Sequence, residues 1–128
     1  VIPVSVDGRD AWVLSIDIDA LQAARPSKSV RLLPSFDPYT LGLRRDAESA
    51  LSATHKGRVF RQQGWISAVV LAGGYVIGIW KYEIKMGRVA VTVEPFEPLS
   101  PAIRAGIEQE AARLGVYFNA EPEVRFAD

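Results

Sequence analysis

The sequence predicts an α+β domain, a strongly bent antiparallel, barrel-like sheet with one amphipathic C-terminal helix packed against it. Three observations carry this expectation. A β-rich meander runs from Ile66 to Phe96, with turns at Gly73-Gly74 and near Gly87. The stretch SPAIRAGIEQEAARLG places apolar side chains at helical spacing between a serine and a glycine. Finally, 128 residues that are 48% apolar and 23% charged suit one folded unit. A domain of that size withdraws roughly two-thirds of its unfolded surface from water.

The elements follow in order. VIPVSVDGRDAWVLSI reads as two strands around Asp7-Gly8, a dipeptide favoured in tight hairpins. Alternation puts Val4 and Val6 on one side of the first strand, and Trp12, Leu14 and Ile16 together on the second. DIDALQAARP predicts a short helix capped by Asp19 and ended by Pro26, and KSVRLLP a short strand stopped by Pro34. DPYTLG is expected to be a helical turn, with Asp37 capping, Pro38 at the first helical position and Gly42 closing it. That turn would wedge Phe36, Tyr39 and Leu41 into the sheet. RRDAESALSATHKGR is polar and partly helical.

In the meander, the long middle strand changes character along its length. Tyr75, Ile77 and Ile79 share a face that continues as Lys81, Glu83 and Lys85, while Val76, Trp80, Tyr82 and Ile84 keep the other face apolar. Such a strand is expected to leave the core as an arm, wet on one side. The next strand alternates Val89, Val91 and Val93 against Arg88, Ala90, Thr92 and Glu94. The helix that follows carries Ile103, Ile107, Ala111 and Leu114 on one stripe, with Gly115 as its terminator. VYF and EVRF then read as short closing strands.

Composition narrows the function. Cysteine is absent, so disulfides, thiolate metal sites and a cysteine nucleophile are excluded. No apolar run is long enough to span a bilayer and no signal segment opens the chain, so a cytoplasmic address and no membrane partner are expected. Val1 falls within a strand-like run, as expected of a piece excised from a larger protein. Net charge is zero, yet residues 1–93 hold 12 basic and 8 acidic side chains, and residues 94–128 hold 3 and 7. The basic excess lies between Arg44 and Arg88, which suggests one surface made for an anion.

Individual constellations weigh differently. Asp17 and Asp19 lack a third ligand at any metal-binding spacing, so Asp19 is read as a helix cap and no metal or other cofactor is expected. His55 has no nucleophile motif near it, and no catalytic residue is assigned. With Lys56, Arg58 and Arg61 it forms either a phosphate-contacting loop or a solvated polar connection. Gly73-Gly74 lacks the lysine and helix of a phosphate-binding loop and is read as a turn. Trp65, Trp80, Tyr75 and Tyr82 could stack on bases, but strand aromatics are more commonly packing residues, and Trp80 is assigned to the core. A ribbon carrying Lys81, Lys85 and Arg88 could reach into or along a duplex groove.

The segments VRLLPSFDPYTLGLRRD and HKGRVFRQQGWISAVVLAGGYVIGIWK, with the terminal helix and its EAARLG, occur in an order that resembles the C-terminal part of the AlkZ-like winged-helix DNA-binding proteins. That family includes bacterial DNA glycosylases for alkylated bases and interstrand crosslinks. The resemblance implies tandem winged-helix units ahead of this region, residues 1–24 as the tail of the last of them, and residues 25–128 as a β-rich domain lining the DNA channel. Family glycosylases carry a Gln-x-Gln or Gln-x-Asp pair in the N-terminal winged-helix portion. Here Gln62 and Gln63 are adjacent, and neither Gln22 nor Gln109 has Gln or Asp two residues later. The order Arg44-Arg45-Asp46 also departs from the Asp-Arg of many relatives, leaving both arginines as candidates.

The expected function is therefore DNA contact without a catalytic pair of its own, the partners being duplex DNA and the protein's winged-helix units. Arg44, Arg45, His55, Lys56, Arg58 and Arg61 would hold phosphates, and the Lys81, Lys85 and Arg88 arm would probe the duplex. The alternatives are a purely structural module and a small-molecule-binding β-barrel, the latter requiring an enclosed cavity.

Overall fold

The computed structural model describes residues 1–43 and 50–127. Strands β1 (Ile2–Val6) and β2 (Arg9–Val13) pair antiparallel as a separate two-stranded sheet. Their two-residue turn needs positive φ at both positions, and Asp7 and Gly8 adopt +51° and +75°. A 3₁₀ turn, Ser15–Asp17, leads into helix α1 (Ile18–Ala23). Neither aspartate caps it as expected: Asp17 holds the cap position without a side-chain hydrogen bond, and Asp19 lies inside the first turn. There its charge still faces the positive end of the helix dipole.

The main sheet has five strands: β3 (Val30–Leu33), β4 (Val69–Ala72), β5 (Tyr75–Lys85), β6 (Arg88–Pro95) and β7 (Glu121–Phe126). They lie in sequence order, antiparallel except for the parallel pair β6–β7. The barrel-like, wholly antiparallel sheet expected from sequence is not what forms. The sheet is open, with β3 and β7 at opposite edges. The physical reason lies in the last connection. Parallel pairing demands a crossover, and helix α4 (Pro101–Phe118) supplies it. By crossing the sheet, α4 covers the apolar face that curling would otherwise have had to cover. Val89, Val91, Val93, Trp80, Val70 and Val30 pack there with Ile107 and Ala111.

A second cluster, Leu51, Val59, Ile66, Val69 and Val76, lies on the opposite face of β4 and the start of β5. Val69 and Val70 alternate between the two clusters, as neighbours on a strand must. A bulge breaks the same alternation in β5. Val70 pairs with Gly78 while Leu71 pairs with Val76, leaving Ile77 as the extra residue. Val76 therefore joins Ile79 in the second cluster, and Ile77 joins Trp80 in the first. This corrects the expectation that Val76 and Trp80 share a face. Trp80 is nonetheless buried, 9% exposed, and its indole N–H donates to the Leu33 carbonyl at 2.8 Å.

Helix α4 starts where the sequence indicates, with the Ser100 hydroxyl accepting from the Ile103 N–H and Pro101 following it. It does not stop at Gly115. Ile107, Ala111 and Gly115 form its buried stripe, and a Cβ on Gly115 would sit 2.7 Å from the Ala120 carbonyl oxygen. The glycine permits close approach. Asn119, with φ +50° and ψ +50°, ends the helix, so VYF is its last turn and not a strand.

On the other face, Asp37 caps helix α2 (Pro38–Gly42) by accepting from the Tyr39 N–H at 2.8 Å. Thr40 is the residue this turn buries; Phe36, Tyr39 and Leu41 stay 42%, 41% and 53% exposed, contrary to the expected wedge. Helix α3 (Lys56–Val59) follows a 3₁₀ turn, Ala53–His55, and anchors through Val59. A further 3₁₀ turn, Gln62–Gly64, leads to Trp65 and the Phe60–Ile66 bridge.

Candidate nucleic-acid interface

Among the described residues, no element covers the face of β5–β6–β7 turned away from α4 beyond the second cluster. Strand pairing sets Lys81 opposite Thr92, Glu83 opposite Ala90 and Lys85 opposite Arg88, all on this face. Glu121, Glu123 and Arg125 extend it on β7. The β5–β6 hairpin is thus not a free two-stranded arm, because β7 runs along β6 from Arg88 onward. Its turn, Met86-Gly87, adopts φ of +52° and +73°, and Met86 is 92% exposed at the tip.

The candidate cations fall into three groups. Arg44 and Arg45 lie outside the described residues. His55 and Arg58 flank one ring: the imidazole stacks on Phe96 at 4.3 Å between centroids, and the Arg58 guanidinium lies 4.9 Å from the same centroid. Arg58 also donates to Glu94 Oε2 at 2.9 Å. Its charge is locally balanced, so its first task is to brace β6 against α3.

Arg61 and Lys81 form the second group. Neither has an ion pair among the described residues, and Lys56, half-buried at the start of α3, has none either. The backbone N–H of Arg61 donates to the Trp65 carbonyl at 2.8 Å, and the Trp65 N–H to that of Gln62 at 3.3 Å. This tight loop presents Arg61 and Trp65 together. Both line a cleft of about 780 Å³ with Gly57, Phe60, Gln62 and Gln63. Both also line an adjoining cleft of about 310 Å³ that reaches Ser35, Lys81, Thr92 and Glu94. The two clefts have Arg61 and Trp65 in common.

The third group sits at the hairpin tip. Lys85 and Arg88 border a concavity of about 530 Å³ with Glu83, Glu123 and Arg125. Arg125 donates to Glu123 Oε1 at 3.0 Å. That hydrogen bond and the Arg125 charge hold the Glu123 carboxyl below its usual range, with a smaller contribution from Arg88. Acidic and basic side chains alternate here, so the tip is not uniformly basic.

The sequence raised Trp65 as a possible base-stacking residue without placing it among the candidate site residues, and it assigned Phe36 to the sheet. Trp65 is 50% exposed, and Phe36 meets it edge-to-face at 5.2 Å with an interplanar angle of 80°. The available signal was position: a tryptophan four residues after an arginine, across a Gln-Gln-Gly turn. Among the described residues no cluster of metal-ligating side chains occurs, and no helix is long and apolar enough to cross a membrane.

The open, helix-backed α+β sheet carries a groove lined by Arg61, Lys81 and Trp65, and comparison gives the chain a family. The chain belongs to the AlkZ-like DNA glycosylase family, whose description, DNA glycosylase AlkZ-like, matches residues 1–117. An interstrand DNA cross-link repair glycosylase of Streptomyces sahachiroi is 39% identical over 111 residues, which span 87% of this chain and 29% of that protein. The solved structure of Streptomyces sahachiroi DNA glycosylase AlkZ superimposes with a TM-score of 0.79 at 35% identity, covering 98% of this chain and 33% of that one. The chain thus spans about a third of the length of the relatives it matches.

Proposed function

We propose that this chain is the DNA-contacting C-terminal region of a DNA-repair glycosylase, holding duplex DNA for chemistry carried out elsewhere in the protein. The observation that carries the reading is the groove between Arg61, Trp65 and Lys81, where two cations without ion-pair partners among the described residues face solvent beside an exposed indole. Family membership supplies the polyanion. Arg61, Lys81, Lys56, Arg44 and Arg45 neutralise phosphates, and Lys85 and Arg88 touch the duplex at the hairpin tip. His55 and Arg58 act more as braces, through Phe96 and Glu94.

No catalytic pair is assigned to this chain. In the full-length protein the reaction would be hydrolysis of an N-glycosidic bond at an alkylated purine, without a metal. Residues 1–24 complete a preceding winged-helix unit. In support, the β1–β2 hairpin forms its own sheet, and Trp12, Leu14 and Ile16 are 70%, 55% and 84% exposed, as residues awaiting a cover would be.

The test is a salt titration of duplex binding by the full-length protein. Each phosphate neutralised contributes a slope of about −0.9 in log K against log salt. Arg61→Glu and Lys81→Glu should each weaken binding and flatten that slope by about one. Unchanged affinity and slope in the double variant would refute the assignment. The structural-module alternative has one observation in its favour, the Arg58–Glu94 pair, and predicts that unchanged result. The small-molecule barrel loses its basis, because the open sheet encloses no lumen.

A further inference from the structure

We propose that the Trp65 groove is a subsite for an unpaired nucleotide in a DNA strand, whose base stacks on the Trp65 indole while Arg61 and Lys81 hold its flanking phosphates. This deepens the DNA reading above and rests on it. Duplex phosphates need only cations, and a half-exposed tryptophan adds nothing to contact with a paired, stacked strand. A free base, by contrast, offers a π-face that an indole can cover, and such stacking is tolerant of sequence. The geometry fits that ligand. Trp65 and Arg61 line both clefts, and Lys81 lines the smaller one with them. Gln62 and Gln63 also line the larger cleft, and their amides are donors and acceptors of the kind a base edge requires.

The backbone around Trp65 is held in a costly shape. Among the described non-glycine residues, five have positive φ. Asp7 and Met86 serve hairpin turns, and Asn119 ends α4. The other two, Phe36 and Gln63, each at +60°, flank Trp65. Phe36 sits in a turn closed by the Asp37 N–H on the Pro34 carbonyl, and Gln63 in one closed by the Trp65 N–H on the Gln62 carbonyl. Glycine would occupy either position without strain. Phenylalanine instead places a ring edge-to-face with Trp65 and fixes its plane. Strain that positions an exposed aromatic is a mark of a binding site.

The experiment compares three probes on the full-length protein: a short oligothymidylate, a fully paired duplex, and the same duplex with one bulged nucleotide. Trp65→Ala should weaken binding to the first and third by roughly 5- to 150-fold and leave the paired duplex within about twofold. Trp65→Phe, which keeps a flat ring, should recover most of the loss. If the alanine variant fails to fold, Trp65→Leu keeps apolar bulk against Phe36 and serves the same comparison. Equal losses on paired and unpaired probes, or none on either, would overturn the subsite while leaving the duplex reading intact. Failure of the wild-type protein to bind any of the three would overturn both.

Discussion

Replacing Gly115 by alanine should destabilise this domain, although alanine is the better helix former. The gain in helix propensity is about 1 kcal/mol. Against it stands a new Cβ placed 2.7 Å from the Ala120 carbonyl oxygen and 3.0 Å from Pro122 Cδ. The Ala120 N–H is bonded to the Gly115 carbonyl at 2.9 Å, so the two backbones cannot separate without losing that bond. Overpacking of a closed interior costs typically 1–3 kcal/mol, and a backbone neighbour puts this case at the upper end. The net loss is about 1–2 kcal/mol, or a melting temperature lower by roughly 4–8 °C for a domain of this size. Gly57→Ala is the control: nothing lies within 4 Å of its Cβ position, so α3 should gain about 0.5–1 kcal/mol. Asn119→Gly should be close to neutral, since Asn119 holds the left-handed end of α4. Thermal and urea melts of the three variants decide the matter. A Gly115→Ala protein as stable as wild type would refute the close-approach argument.

Three further outcomes are expected. Trp80→Phe removes the donor to the Leu33 carbonyl and part of a buried side chain, and should cost about 1–3 kcal/mol in urea unfolding through the lost hydrogen bond alone. Arg58→Gln should change stability by less than about 1 kcal/mol, because both partners of its ion pair are partly exposed. It should nevertheless weaken DNA binding by leaving Glu94 uncompensated in the groove, and adding Glu94→Gln should restore affinity in a double-mutant cycle. Glu123 has a depressed folded pKa, so its contribution to stability is present above the ordinary carboxylate pKa and is lost as pH falls through the lowered value. Melts at descending pH should therefore show the small gap between wild type and Glu123→Gln closing in acid.

How far the sequence speaks depends on which physical signal each element rests on. The α4 start, the hairpin at Asp7-Gly8, the Asp37 cap and the valine alternation of β6 are local signals, and each is present in the structure. The errors share another cause. An apolar face on β6 must be covered, but alternation cannot say whether the sheet curls over itself or a helix crosses it. The β5 bulge illustrates the same limit at finer scale. It exchanges the faces of Val76 and Ile77 beside Gly78, whose Cβ would sit 2.7 Å from the Glu94 carbonyl oxygen, a neighbour that alternation does not reveal. Gly115 was misread because glycine serves two purposes, left-handed turning and close approach. Only the neighbour, here the Ala120 carbonyl, tells them apart.

The candidate site divides along the same line. Charge clustering in HKGRVFRQQG drew attention to this neighbourhood, because basic residues without acidic neighbours in sequence commonly share a surface. It could not distinguish Arg58 from Arg61, three residues apart on the same short segment. Arg58 turns toward β6 and meets Glu94, while Arg61 follows the end of α3 and opens on the groove with Trp65. The difference arises where the chain leaves α3 at Phe60 in extended conformation, turning what would have been one basic helical face into two surfaces. A brace and a proposed contact residue are thus made from the same residue type by a single change in backbone direction. Reversing charge at the two arginines should reflect this: Arg61→Glu acts on the salt dependence of DNA binding, whereas Arg58→Glu, facing Glu94, acts first on folding stability.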